Sequence, residues 1–231
     1  MAFIETFPVN QATGEARAMY ERVQANLGYV PNYAKVFSLR PEVMGAWSGL
    51  LASIRGHMDT RRYELVTLAA AKALRSSYCM LAHGTILRRQ FFGPEQLAAI
   101  AGGADSGLEP AEAAMMAFAE RVAKDASSIT ASDVEGLRAH GFTDAEIFDI
   151  AATAAARCFF SKLLDALGAE PASLFGMPMP GASAWGRLRS TLTSHPTTFC
   201  ERINGRSKRP PTITSPGCAS SEPKPCSGAA A

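Results

Sequence analysis

The sequence predicts an all-helical protein, a single-domain helical bundle with a disordered tail at its C-terminus. Apolar residues recur at helical spacing through most of the first 175 residues. Val, Ile and Thr never alternate with polar residues for long, so strands are not expected. After about residue 175 the chain becomes rich in Ser, Thr, Pro, Gly and basic residues. These observations predict a folded domain at 1–175 and a tail at 176–231.

Glycine, proline and small polar residues mark the helix boundaries. Gly28 ends the first helix, and Pro41 opens the third at a position where proline is tolerated. Thr60 is the predicted N-cap of the fourth. Ser76 and Ser77 then interrupt the chain, because serine is weak inside a helix and good at its start. The predicted helices cover residues 14–27, 32–39, 42–54, 61–75, 77–89, 94–101, 110–124, 133–140 and 144–167.

Two capping-box patterns predict the starts of the last two helices. Ser132 with Glu135, and Thr143 with Glu146, have the spacing at which the two side chains cap each other's backbone N–H groups. The last helix has a broad apolar stripe, which places it at the centre of the fold or at a subunit interface. The stripe consists of Ile147, Ile150, Ala151, Ala154, Cys158, Phe159 and Leu163.

The tail differs from the body in charge as well as in composition. From Gly176 onward there are seven Lys or Arg and two Glu, which leaves a body of net charge −3. Such a tail buries too little apolar area to offset its chain entropy. It is either a true extension or the product of a late change of reading frame. The mildly acidic body gives no sign of a nucleic-acid surface.

The apolar segments and cysteines predict a cytoplasmic protein. No apolar run is long enough to span a membrane, and the start lacks the pattern of a secretory signal. The cysteines, at positions 79, 158, 200, 218 and 226, are odd in number and irregular in spacing. We therefore expect free thiols rather than a disulfide framework.

Cys79 and His83 are the candidate reactive pair. If Ser76 is an N-cap, Cys79 lies in the first turn of a helix, where unpaired N–H groups and the helix dipole favour a thiolate. His83 follows four residues later, one turn along the same face. Its imidazole can take the thiol proton and later return a proton to a leaving oxygen. A thiolate so placed can cleave a peroxide O–O bond and become a sulfenic acid.

Spacing alone leaves two other interpretations of this pair open. Cys79 and His83 can be a buried thiol and a polar neighbour, since cysteine is among the most buried residue types. They can also be half of a metal site, although two further ligands are not evident.

The stretch from Glu64 to His83 resembles the active-site segment of the alkylhydroperoxidase D-like and carboxymuconolactone decarboxylase family. That family has a Glu, eleven residues, and then Cys-x-x-Cys-x-x-x-His. Glu64, Cys79 and His83 match the Glu, the second Cys and the His. Further matches to the peroxidase-related branch are the segments 28–32, 37–42 and 165–168.

The resemblance implies that Cys79 attacks peroxide, that His83 is its base and acid, and that Glu64 relays protons to them through water. An unbroken helix would separate Glu64 from Cys79 by about 22 Å, so a relay needs a bend at the serines or another subunit. Ser76 replaces the family's first cysteine, and serine cannot form the disulfide. We expect Ser76 to cap the helix and to hydrogen-bond the thiolate, and an external thiol to reduce Cys79. Cys158 is a less suitable reductant.

The resemblance thus implies a thiol-dependent antioxidant peroxidase with no metal or organic cofactor. Its partners would be a hydroperoxide, a thiol reductant and further copies of the same chain, because family members are usually homo-oligomers. Neither nucleic acid nor a membrane is expected. Two alternatives stay open: decarboxylation of a muconolactone-like acid, which needs His83 and Glu64 but no thiolate, and a catalytically silent helical oligomer.

Overall fold

Helices make up the regular structure of a computed structural model that describes residues 2–103 and 107–171. These residues contain no strand, which confirms the all-helical prediction. The predicted tail at 176–231 lies outside them. The α-helices are α1 (Gly14–Leu27), α2 (Asn32–Phe37), α3 (Pro41–Arg55), α4 (Thr60–Ala73), α5 (Ser77–Gln90), α6 (Pro94–Gly102), α7 (Pro110–Asp125), α8 (Ala131–Ala139) and α9 (Asp144–Ala166).

Capping explains most of these boundaries and corrects two predictions. Gly28 ends α1 in the left-handed region at φ 80°, and the predicted box of Thr143 with the side chain of Glu146 begins α9. Helix α4 is capped by Asp59, not Thr60, since the Asp59 carboxylate accepts the hydrogen bond from Arg62 N–H. Helix α8 begins with a box from Thr130 to Asp133, so the prediction of Ser132 with Glu135 was wrong.

The centre of the described fold is α4. Its residues from Tyr63 to Ala71 are all buried, and the helix packs against α5, α7 and α9. A helix that is apolar on every side must be covered on every side. Truncating a leucine in such surroundings costs about 2–5 kcal/mol, so α4 is a main source of stability. Lys72 at its end forms an ion pair with Glu120 of α7 at 2.9 Å.

A sharp reversal joins α4 to α5 and sets up the candidate site. Arg75 adopts a left-handed conformation at φ 59°, which costs a residue with a side chain about 1–3 kcal/mol. Its backbone N–H donates to the Lys72 carbonyl, and that of Ser76 donates to the Ala71 carbonyl. The chain therefore bends where the serines predict a break, and α5 packs beside α4 instead of extending it.

Helix α9 is buried along one face and apolar on part of its exposed face. Ile147, Ile150 and Ala154 of the predicted stripe lie in the core. Phe159, predicted in the same stripe, is instead 45% exposed, and Phe148 is 69% exposed. In residues 2–103 and 107–171, no helix has the length and apolarity to cross a membrane.

Candidate active site

Cys79 lies in the first turn of α5, as the serine break predicted. Ser76 is the N-cap residue, so Cys79 is the third residue of the helix. The thiol is 1% exposed, but its neighbours are polar. The Ser161 hydroxyl donates to Cys79 Sγ at 3.1 Å, and Arg157 Nη1 approaches the same sulfur at 3.9 Å. The sulfur is therefore buried against hydrogen-bond donors rather than hydrocarbon alone.

Glu64 and His83 are in direct contact across the two helices. Glu64 Oε2 lies 2.6 Å from His83 Nδ1, and the Glu64 side chain is 2% exposed. A carboxylate can only accept hydrogen bonds, so Nδ1 carries the proton and donates it. Nε2 is then left as the basic nitrogen of the ring. The expected relay partner thus reaches the imidazole directly, without an intervening water.

His83 is held in its neutral form. Burial lowers the pKa of its imidazole most, and the nearby positive charge of Arg157 lowers it further. The hydrogen bond and the charge of Glu64 act in the opposite direction but do not reverse the shift. A neutral ring one helical turn along α5 from Cys79 is in the form that can accept a proton at physiological pH.

The lowered pKa of His83 makes stability depend on pH. The unfolded chain binds the proton near the ordinary value of 6.5, before the folded protein does. The free energy of unfolding is therefore highest above pH 6.5 with respect to this group. It decreases as the pH falls from 6.5 through the lowered pKa of the folded protein, by up to about 1.4 kcal/mol per pH unit. Urea unfolding at about pH 7.5 and about pH 5.5 should show this loss in the parent and a smaller loss in His83→Gln. An equal loss in both would contradict it.

Ser76 occupies the predicted position, but its side chain makes different contacts from those expected. It is fully buried and forms no capping hydrogen bond. Its hydroxyl donates instead to Asp165 Oδ1 of α9 at 3.3 Å. Burial raises the pKa of Asp165, and the Ser76 hydrogen bond opposes that rise. Ser76 is thus the predicted N-cap residue, but its hydroxyl makes neither the capping hydrogen bond nor the expected bond to Cys79, and the donors to Cys79 Sγ come from α9.

Sequence reasoning missed Arg157 and Ser161. They are four residues apart on α9, hence one turn apart on the face that meets Cys79. Both are buried, with exposures of 2% and 0%. The signal available was a charged residue and a serine inside the stretch of α9 that is otherwise rich in alanine and phenylalanine. Because Arg157 and Ser161 are 78 and 82 residues from Cys79 in the sequence, local spacing could not indicate that they contact its sulfur.

Cys158 points to another part of the fold. Its Sγ lies 4.0 Å from the Ala123 carbonyl of α7, and burial raises the pKa of its thiol. A raised pKa disfavours the thiolate. Arg157, the residue before Cys158, points toward Cys79. Consecutive side chains of a helix are about 100° apart around its axis, so Cys158 points away from Cys79. These observations favour a packing role for Cys158 over a role as the reductant of Cys79.

Aromatic side chains lie beside the Arg157 guanidinium. Trp47 stacks on Phe160 with centroids 4.2 Å apart, and Arg157 lies 5.6 Å from the Trp47 ring and 5.5 Å from the Phe160 ring. Tyr78 is buried next to Cys79 in sequence, and burial raises the pKa of its phenol. Tyr78 packs edge-on against Tyr33. In the described part of the chain, no three His, Cys, Asp or Glu residues are grouped to hold a metal ion.

Comparisons with known proteins agree with this architecture. The carboxymuconolactone decarboxylase family matches residues 41–121, a segment that contains Glu64, Cys79 and His83. The structure of an alkylhydroperoxidase AhpD core, a peroxidase-related protein of Ralstonia eutropha JMP134, is similar with 27% identity and a TM-score of 0.68 over 75% of this chain and 94% of that one. No curated protein matches the chain significantly.

Two further structures show the same fold at lower identity. A peroxidase-related protein of Silicibacter sp. TM1040 is 22% identical, with a TM-score of 0.67 over 74% of this chain and 92% of its own. A cysteine-to-alanine variant of the debrominase Bmp8, in complex with 2,3,4-tribromopyrrole, is 18% identical, with a TM-score of 0.62 over 79% and 95%. In the matched segment and in the shared helical fold, the chain is similar to the alkylhydroperoxidase D-like and carboxymuconolactone decarboxylase family.

Proposed function

We propose that the protein is a thiol-dependent peroxidase that reduces hydroperoxides at Cys79. The observation that carries this proposal is the 2.6 Å hydrogen bond from His83 Nδ1 to Glu64 Oε2. It orients an imidazole whose ring lies one helical turn from a buried thiol. A fixed, neutral ring is suited to move a proton between the thiol and a leaving oxygen.

The reaction has two stages. His83 Nε2 takes the thiol proton, and the Cys79 thiolate attacks the terminal oxygen of the hydroperoxide. The S–O bond forms as the O–O bond breaks, and His83 returns the proton to the departing alkoxide, which leaves as an alcohol. Sulfur is oxidised by two electrons to sulfenic acid, and the peroxide is reduced by two electrons.

An external thiol is the proposed reductant of the second stage. It condenses with the sulfenic acid to a mixed disulfide and releases water, and a second thiol then displaces Cys79 as a thiol and leaves as a disulfide. Ser76 stands where the family has its resolving cysteine, and Cys158 is turned toward Ala123. A small thiol is favoured over a bulky one because Cys79 is only 1% exposed.

Trapping of the oxidised sulfur tests the proposal. The protein is treated with hydrogen peroxide in the presence of dimedone, and the adduct is located by mass spectrometry. We expect an adduct at Cys79, and continuous hydroperoxide consumption when dithiothreitol replaces dimedone. Absence of an adduct at Cys79, or consumption no faster than with dithiothreitol alone, would refute the proposal.

Restoring the family's first cysteine should change the choice of reductant. In Ser76→Cys, the new thiol lies at the N-cap and Cys79 is the third helical residue, the arrangement of a Cys-x-x-Cys pair. We expect a disulfide to form in turnover and the rate with dithiol reductants to rise several-fold above the parent. The ratio of rates with dithiothreitol and with 2-mercaptoethanol measures this. An unchanged ratio would mean that the two sulfurs do not meet.

A second candidate is proton-transfer chemistry without the thiol, as in decarboxylation of a small lactone acid. It is favoured by one observation, that the Glu64–His83 pair is complete without Cys79. The debrominase Bmp8 adds dehalogenation as a reaction found on this fold. Measuring both activities after alkylation of Cys79 separates the candidates. Decarboxylation would survive the alkylation, whereas peroxide reduction would be lost.

We also propose that the chain forms a homo-oligomer through α9. Phe148, Ala152, Ala155 and Phe159 follow one another at spacings of four, three and four residues, hence along one face. Phe148 and Phe159 are exposed, and the two alanines leave room between them for the same side chains of a second copy. Light scattering of the full chain measures the subunit number, and a monomer at micromolar concentration would contradict this.

A further inference from the structure

Arg157 is a buried cation with no carboxylate partner among the described residues. It is 2% exposed, and it forms no ion pair within this part of the chain. Arginine is almost never so buried unless it is paired, because removing a guanidinium from water is costly. A neighbouring group that can carry a negative charge would therefore stabilise the buried guanidinium.

The neighbours of Arg157 direct it toward one atom. Its Nη1 lies 3.9 Å from Cys79 Sγ, and its Nε has no hydrogen-bond partner among the described residues. The rings of Trp47 and Phe160 lie 5.6 Å and 5.5 Å from the guanidinium carbon. These rings favour the cation through their π faces and limit where it can move. Glu64 lies nearby but is engaged with His83. Among the described residues, Cys79 Sγ is thus the ionisable group that the guanidinium approaches directly.

Ser161 approaches the same sulfur. Its hydroxyl lies 3.1 Å from Cys79 Sγ, and it is fully buried. A neutral thiol accepts hydrogen bonds weakly, whereas a thiolate accepts them strongly. Two donors from one face of α9 are therefore better matched to the ionised sulfur than to the protonated one.

We propose that Arg157 is the counter-cation of the Cys79 thiolate and that Ser161 is its second donor. Ionisation breaks the S–H bond, and the proton passes to His83, which returns it to the leaving oxygen in turnover and releases it to solvent when no peroxide is present. The thiolate neutralises the buried guanidinium, and the guanidinium holds the thiolate ready for attack. This inference rests on the proposed peroxidase function for its purpose, but the ionisation itself can be measured without any peroxide.

The experiment is the pH profile of Cys79 alkylation in the full chain. The protein reacts with iodoacetamide over a range of pH, and the Cys79 peptide is quantified by mass spectrometry. The midpoint of the profile reports the ionisation of the sulfur, and the plateau at high pH reports its accessibility. In Arg157→Met we expect the midpoint to rise by about one pH unit or more, since an opposite charge at this distance shifts ionisation by that amount.

Three further variants sharpen the result. Arg157→Lys retains the positive charge and should move the midpoint less than Arg157→Met does. Ser161→Ala removes one donor and should raise it by about half a pH unit. Arg17→Met is the matched control, because Arg17 is exposed and pairs with Glu21; its midpoint should equal the parent's. Circular dichroism and thermal melting check the fold.

An unchanged midpoint in Arg157→Met overturns the proposal. If that variant does not fold, an unchanged midpoint in both Arg157→Lys and Ser161→Ala overturns it. A shifted profile in a protein that does not reduce peroxides would leave this inference standing and remove the peroxidase proposal. Peroxide turnover together with unshifted alkylation profiles would leave the peroxidase proposal standing and remove the proposed role of Arg157.

Discussion

Cys79→Ser is expected to lower hydroperoxide consumption by at least about a thousandfold, to the rate of the supplied thiol alone. A serine hydroxyl is not ionised near neutral pH and cannot form a sulfenic acid, so both stages of the reaction are lost. The oxygen is close in size to sulfur and can still accept from Ser161 and Arg157, so the fold should be retained. The measurement is peroxide loss with dithiothreitol, with circular dichroism as the check on folding.

Cys158→Ser is the matched control for that variant. Cys158 lies on the same helix as Arg157 and Ser161 but is directed toward Ala123. We expect its replacement to leave peroxide consumption within about twofold of the parent, as for a residue away from the reacting atoms. If Cys158→Ser and Cys79→Ser lose activity equally, Cys158 takes part in turnover and the assignment of an external reductant is wrong.

Glu64→Gln is expected to reduce the rate by about a hundredfold or more, within the range that positioned acid–base groups contribute. The amide keeps the size of the carboxyl group but loses its charge, and its NH₂ can donate to Nδ1 and stabilise the opposite tautomer. Nε2 would then carry the proton and could not accept one from Cys79. The pH profile of peroxide consumption should change as well as the rate.

Glu120→Gln provides the comparison for Glu64→Gln. Glu120 is also a helical glutamate of the domain, but it pairs with Lys72, at a partly exposed position. Its replacement should leave both the rate and the pH profile close to those of the parent. Equal effects of the two substitutions would show that Glu64 acts on stability alone. Retained peroxide activity in Glu64→Gln would remove the proton relay from the mechanism.

The helices were predictable because their signals are local. The bounds of α1 were predicted to the residue, since periodicity and Gly28 agree. The caps of α4 and α8 were assigned to the wrong residues because Asp59 and Thr130 were equally good candidates. The central place of α4 was not predicted, because a helix rich in alanine shows only a weak apolar stripe, and packing on every side was needed to bury it.

Sequence alone determined that Glu64, Cys79 and His83 are the residues to examine, because their types and spacing match a family pattern that depends on local chain order. It also determined that Cys79 lies in the first turn of a helix, since serine favours helix starts. Only the tertiary structure decided that the chain reverses at Arg75, so that Glu64 touches the imidazole, and that Arg157 and Ser161 meet the sulfur. Contacts between residues 78 and 82 positions apart arise from helix packing, on which local periodicity carries no information.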